Sequence, residues 1–139
     1  MQITVKIITH TPLQDCWNSY TLPEHITQWN FADPSWHCPT AQNDLRVGGT
    51  YLARMEAKDG SFGFDFEATY TDVQPLKSFT YTFGGRNATI VFNTLPEGTE
   101  VIVSFDPENE NPIELQKQGW QSILNQFKTY TENITTPQS

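Results

Sequence analysis

Cationic side chains are scarce in this chain. Lysine and arginine together number eight, against sixteen aspartates and glutamates in 139 residues, giving a formal charge of −8. Nucleic-acid backbones are held by clustered Lys and Arg, so this balance argues against a nucleic-acid partner. It equally disfavours an anionic membrane surface. The acidity needs no partner of its own, because net charge of this size keeps a small domain dispersed. Cysteine is nearly absent: Cys16 and Cys38 are the two, without CxxC spacing. Two free thiols are expected. A disulfide would belong to a secreted chain. The opening MQITVKIITHT has too short an apolar run for a signal peptide and no small-residue cleavage site after it, so a cytoplasmic location is expected. No stretch approaches the roughly 18–20 consecutive apolar residues of a membrane span.

Chemical motifs are also missing. His10, His25 and His37 contain no pair at helical metal-site spacing, and the adjacent His37-Cys38 rarely converges on one metal. No GxSxG, P-loop or dinucleotide fingerprint is present. Gly48-Gly49 and Gly84-Gly85 read as hairpin turns, because no helix follows either pair. No catalytic residue, metal ligand or cofactor is therefore assigned.

What the chain does have is aromatic weight: nine Phe, five Tyr and four Trp. Phe62, Phe64, Phe66, Ala68 and Tyr70 fall on every second residue, between Gly63, Asp65, Glu67 and Thr69, which predicts a strand with one apolar face. Trp120, Ile123, Leu124, Phe127 and Tyr130 recur at three- and four-residue steps, one stripe of an amphipathic helix. Around these, alternation predicts a first strand near residues 2–9. Thr11 is expected to cap a short helix that runs to about Ser19 with Pro12 at its first position. A second short helix is expected over 23–29, and an irregular edge strand over 36–46 that contains Pro39. Five hairpin-linked strands then follow in meander order, with Asp59-Gly60 marking one turn. Pro112 opens a last helix to about Thr131. One domain over residues 1–132 with a polar tail over 133–139 is the organisation this implies, of α+β class.

Several strings carry a resemblance. They are Pro23-Glu24-His25-Ile26 leading to Trp29, Leu45-Arg46-Val47-Gly48-Gly49-Thr50-Tyr51, and Phe66-x-Ala68-x-Tyr70-Thr71-Asp72-Val73-x-Pro75. Gly98-Thr99-Glu100-Val101 and Gly119-Trp120-x-x-Ile123-Leu124 follow in order, with Trp17, Met55 and Asp59-Gly60 between. Together they resemble the SRPBCC, or START-like, proteins related to the C-terminal domain of the activator of Hsp90 ATPase. The resemblance implies a helix-grip (START/Bet v 1-like) fold: a curved antiparallel sheet around a long C-terminal helix, with two short helices after the first strand and a cavity between sheet and helix.

Strand phase then nominates the inner face. Tyr51, Ala53 and Met55 should face inward, with Phe64, Phe66 and Ala68 beside them. Phe79, Tyr81, Phe83, Ile90, Phe92, Val101, Val103 and Phe105 should continue that face, and Trp120, Leu124 and Phe127 should close it. A one-residue slip in any strand would reverse its assignment. Trp29, Phe31, Trp36 and His37 are expected at the cavity mouth, where Trp36-His37 could stack on a planar ligand or equally cap the core. The expected ligand-binding set is therefore Trp29, Phe31, Trp36, His37, Tyr51, Met55, Phe64, Phe66, Tyr81, Phe92, Trp120 and Leu124. Glu56, Asp65, Glu67 and Asp72 are expected on the outer face. Gly119 is expected to mark a close approach, either of a ligand or of the helix on the bulky sheet.

The reading that follows is a non-catalytic binding domain for a small apolar or aromatic molecule. The alternatives are a co-chaperone interaction domain, which a single domain suits poorly, and a cyclase, aromatase or hydrolase-type enzyme of the same superfamily. An outer sheet face or apolar rim could support a homodimer, though no residue demands one.

Overall fold

The computed structural model of the chain describes residues 2–135. The elements run β1 (Ile3–Thr9), α1 (Leu13–Thr21), α2 (Pro23–Trp29), β2 (Trp36–Asn43), β3 (Thr50–Ala57), β4 (Gly63–Gln74), β5 (Ser78–Phe83), β6 (Arg86–Leu95), β7 (Gly98–Phe105) and α3 (Ile113–Thr135). The seven strands form one curled antiparallel sheet in the order β1-β7-β6-β5-β4-β3-β2. β3 to β7 make the expected meander, and β1 closes it by pairing Ile3 with Phe105 through Thr9 with Thr99. Because β1 and β2 are the two edges, residues 10–35 must carry the chain across the full width of the sheet. α1 and α2 lie in that crossing, and both contact α3. The fold is helix-grip, of α+β class.

Alternation decides which side is core. β1, β5 and β7 bury every second residue, and Tyr51, Ala53 and Met55 do the same in β3. β4 departs from strict alternation at a bulge between Tyr70 and Asp72. The extra residue turns Asp72 out to solvent and lets Val73 pair with Phe79, so an unbroken period of two would have driven a carboxylate inward. Glu56, Asp65 and Glu67 also lie on the outer face, where Arg54 bonds Glu56 at 2.9 Å and Asp65 at 3.4 Å.

Two local expectations are corrected. Thr11 does not cap α1: Pro12 occupies that position without a side-chain bond, and the Thr11 hydroxyl is engaged with Thr9 at 2.7 Å. Thr11 is instead buried with Thr9 and Thr99, whose hydroxyl donates to the Thr11 carbonyl at 2.8 Å. α3 runs through Thr135, beyond Thr131, so part of the expected tail is helical; residues 136–139 lie outside the described residues. Pro23 opens α2 and Pro39 sits on the edge strand, in line with proline's missing N–H.

α3 docks along β1. Leu124 and Phe127 are buried beneath it, and the aromatic ring of Trp120 stacks on Phe105 with centroids 4.1 Å apart and planes at 11°. Lys128 Nζ donates to the Ile8 carbonyl at 2.8 Å and Gln121 Nε2 to the Lys6 carbonyl at 3.2 Å, which occupies the open edge of β1. Among the described residues no helix is long and apolar enough to cross a membrane.

Glycines give a direct stability test. A Cβ on Gly119 would meet nothing within 4 Å, so the sheet does not press on it, contrary to one of the two expectations above. Gly98 has φ +153°, and a Cβ there would run into the Thr9 carbonyl across the β1–β7 pair. Gly119→Ala should therefore raise stability by about 0.5–1 kcal/mol, and Gly98→Ala should lower it by about 2 kcal/mol. Urea unfolding of both variants checks the pair of signs.

Candidate functional site

Between the sheet and α3 lies a cavity of about 290 Å³. Its floor comes from β3, β4 and β5, which contribute Tyr51, Met55, Phe64, Phe66, Phe79, Tyr81 and Phe83. Its roof is Tyr20 of α1, Trp29 and Asn30 at the end of α2, and Trp120, Ile123 and Leu124 of α3. The site exists because two periodicities meet. Period two puts three strands' rings on one face, and the three- and four-residue stripe of α3 turns Trp120 and Leu124 toward them. Rings contact one another around the space: Phe66 and Phe83 have centroids 5.2 Å apart, and Tyr51 and Tyr81 stack at 5.9 Å.

Of the residues nominated from sequence, the structure brings Trp29, Tyr51, Met55, Phe64, Phe66, Tyr81, Trp120 and Leu124 to the cavity wall. The others lie elsewhere, each for a physical reason. Phe92 is buried, but α1 crosses β6 and fills the space above it with Trp17, whose ring lies 5.0 Å away. His37 is on the outer face of β2, opposite Glu56, with Nε2 3.8 Å from the carboxylate. Phe31 is half-buried in the loop after α2, packed against the core. Trp36 shares the inner face but forms an aromatic cluster with Phe62 and Phe64, at 5.9 and 6.0 Å.

That cluster reflects an overhang. β4 pairs with β5 only from Thr69 onward, so its first residues, Gly63 to Ala68, have β3 on one side and no neighbour on the other. The β3–β4 hairpin therefore projects as an arm beyond the β5–β6 hairpin. Phe62 is 61% exposed and Phe64 43% exposed, although both have the phase expected of them.

The polar groups on the wall were only partly foreseen. Tyr51 and Tyr81 were expected to point inward; Tyr20, Asn30 and Arg86 were missed. Asn30 Nδ2 donates to the Tyr51 hydroxyl at 3.1 Å, and nearby Tyr70 donates to Asn43 Oδ1 at 2.6 Å. The hydroxyls of Tyr20 and Tyr81 make no hydrogen bond to any other described residue, and no buried side-chain atom is both sealed off and unpartnered. Both hydroxyls therefore open onto the cavity. Burial pushes the ionisation of Tyr20, Tyr51 and Tyr81 well above the ordinary phenol range, with each other's proximity adding to it for Tyr20 and Tyr51. They stay protonated at any physiological pH, which makes them donors and poor general bases. The lining contains no carboxylate and no histidine. His25 lies outside it, with Nδ1 2.6 Å from the Tyr130 hydroxyl, and His10 is exposed. Among the described residues no group of three or more His, Cys, Asp or Glu could hold a metal ion.

Arg86 leads β6 directly after the Gly84-Gly85 turn, which is why its side chain stands at the end of the sheet beside the cavity. Its guanidinium carbon sits 4.6 Å over the Phe83 ring, and Nη1 donates to the Asp106 carbonyl at 3.4 Å. The sequence signal for it was available only as a turn position, since nothing in the alternation marks a residue whose long stem bends back over a neighbouring ring.

Comparison with known proteins follows this architecture. The family of activator of Hsp90 ATPase homolog 1-like proteins matches over residues 10–132. A solution structure of an AHSA1-like protein from Aeromonas hydrophila is 34% identical, with 100% of this chain and 97% of that one aligned at a TM-score of 0.93. A solution structure from Cytophaga hutchinsonii is 45% identical over 99% of this chain and 96% of that one, with a TM-score of 0.82. A crystal structure from Nitrosomonas europaea shares the fold at 18% identity, covering 99% and 97% of the two chains with a TM-score of 0.84. Comparison with the curated proteins finds no match.

Cys16 and Cys38 are free and buried, and neither lines the cavity. Burial pushes the Cys16 thiol up to about 12 and the Cys38 thiol up to about 11. The thiolate is the reactive form, so both should react slowly with a disulfide reagent at pH 8 in the native protein and rapidly in urea. Fast labelling of either under native conditions would contradict their placement.

Proposed function

From this chain's membership of the activator of Hsp90 ATPase homolog 1-like family and from its cavity, we propose that it is a non-catalytic receptor for a small apolar or aromatic molecule bearing at least one hydrogen-bond acceptor. The observation that carries this reading is the pair of Tyr20 and Tyr81 hydroxyls, which open onto an aromatic cavity and hydrogen-bond no other described residue. Donors that face a cavity and not the protein are satisfied by whatever occupies it, a bound molecule or water. Mostly apolar walls with a few placed polar groups are the usual design of a small-molecule site.

Chemistry on the ligand is not required by this arrangement. Three protonated phenols and one guanidinium can polarise a carbonyl, but no wall residue is suited to remove a proton at neutral pH. Orientation of a ligand is what these groups do best.

A thermal-shift screen of planar aromatic and medium-chain aliphatic compounds tests the reading, since a true ligand at 100 times its Kd adds about 2.7 kcal/mol. No stabilisation by any compound would count heavily against it. Two variants sharpen the test. Tyr81→Phe should leave stability unchanged, because its hydroxyl has no partner to lose, while weakening an acceptor-bearing ligand about 3- to 10-fold. Tyr70→Phe should lower stability by about 1–2 kcal/mol because it strands the Asn43 carbonyl oxygen. The reverse pattern would place the ligand's acceptor elsewhere.

A further inference from the structure

We infer that the molecule received by this cavity is an organic acid with an apolar body, and that Arg86 binds its anionic head. The inference rests on the receptor reading above and goes beyond it by naming the charge of the ligand and its direction of binding.

The first observation is that Arg86 is the one cationic side chain on the cavity wall. The second is its partnering. The chain has three arginines, Arg46, Arg54 and Arg86. Arg46 holds Asp44 at 2.9 Å and Arg54 holds Glu56 at 2.9 Å. Arg86 has no carboxylate within ion-pair distance among the described residues, in a chain where acids outnumber bases two to one. It makes one long hydrogen bond, from Nη1 to the Asp106 carbonyl, and lies over the Phe83 ring. A guanidinium carries five N–H donors in a planar fork that matches a carboxylate, so most of its donors remain available.

The nearest acid in sequence register is Asp106, and it is already engaged. Its Oδ2 accepts the Asn87 backbone N–H at 2.8 Å, and its Oδ1 accepts from Gln2 at 3.2 Å. These bonds hold its carboxyl below the usual range and keep it directed at the backbone of β6. The protein thus places an acid beside Arg86 and commits that acid to other donors.

The third observation is geometry. Phe83 carries the Arg86 guanidinium 4.6 Å over its ring and has the Trp120 ring centroid 6.0 Å away. Phe66 and Tyr81 adjoin Phe83 at 5.2 and 5.7 Å, and Tyr51 in turn adjoins both at 6.0 and 5.9 Å. A ligand with its anionic group on the guanidinium has an aromatic path for its apolar body from the β5–β6 hairpin toward the tyrosines. The chain's net charge of −8 opposes anions at long range, but screening confines that opposition to about 8 Å at physiological ionic strength. Within that distance the charged fork dominates.

Paired probes test this. Octanoate and octanamide, and 2-naphthoate and 2-naphthamide, differ in each pair only by the charged head. Titrations at neutral pH, followed by backbone amide NMR shifts, should show each acid binding about tenfold tighter than its amide. In Arg86→Gln the preference should fall to near unity because the acids weaken far more than the amides, and Arg86→Lys should recover part of it. The NMR spectrum of Arg86→Gln also reports whether the fold is intact. Equal binding of acids and amides, or a preference that survives Arg86→Gln, would overturn the inference and leave the receptor reading standing. If none of the four binds, the receptor reading itself fails and this inference goes with it.

Discussion

The attachment of α3 to the edge strand β1 governs the rest of the molecule. The helix is drawn to one side of the sheet by the burial of Leu124 and Phe127, by the Trp120–Phe105 stack, and by the bonds from Lys128 and Gln121 to β1 carbonyls. Burial is the larger effect, since each fully buried Leu or Phe contributes about 1.5–3 kcal/mol, whereas the Lys128 and Gln121 bonds are solvent-exposed and worth less. Seated there, α3 packs on β1, stacks Trp120 on Phe105 of β7 and touches β5 through the Trp120–Phe83 ring pair at 6.0 Å. Past that contact the cavity separates the helix from the rings of β3 and β4. The cavity is the residue of an asymmetric docking, and not of small side chains.

The same asymmetry explains the polar pattern. In the solidly packed parts the buried hydroxyls are paired: Thr9 with Thr11 and Thr99 with the Thr11 carbonyl at the β1–β7 end, and Thr131 of α3 with Ser19 of α1 at 3.0 Å. At the cavity, Asn30 pairs with Tyr51, but the Tyr20 and Tyr81 hydroxyls have no partner among the described residues. A fold that pairs its buried groups elsewhere and leaves two hydroxyls open here is locally inconsistent in one place. Such departures from the rules of a well-packed core concentrate at functional sites.

Most of the architecture was legible because it rests on periodicity. Ile3, Val5 and Ile7, or Phe79, Tyr81 and Phe83, announce their burial by spacing alone, and their phase is kept in the structure. What escaped the sequence depends on how far elements extend past one another. Phe62 and Phe64 have the right phase, yet β4 overruns β5 and leaves them on an arm without a layer above. Phe92 has the right phase as well, but α1 rather than empty space lies over it. His37 followed Trp36 in the expectation, although adjacent strand residues face opposite sides. Tyr20 is invisible as a wall residue from sequence because helical periodicity does not distinguish a packed neighbour from a void. For Gly119 the open space around it removes the sheet as the reason for a glycine.

A void of this size bears on stability as well as on binding. Cavities left by truncating core residues cost about 24 cal/mol per Å³, which for about 290 Å³ would come to about 7 kcal/mol if the space were sealed and dry. That is comparable with the whole stability of a typical domain, about 5–15 kcal/mol. The chain avoids such a cost by making the space wettable: Tyr20, Tyr81 and Arg86 offer donors to water, and Phe64 and Arg86 leave the end near the hairpins accessible. Water held by a few donors against aromatic walls is poorly satisfied, because each molecule needs two to four polar partners. An apolar body with a suitable acceptor replaces that water at a gain on both counts. On the receptor reading, the features that let this domain tolerate its hollow interior are also the ones that would select its ligand.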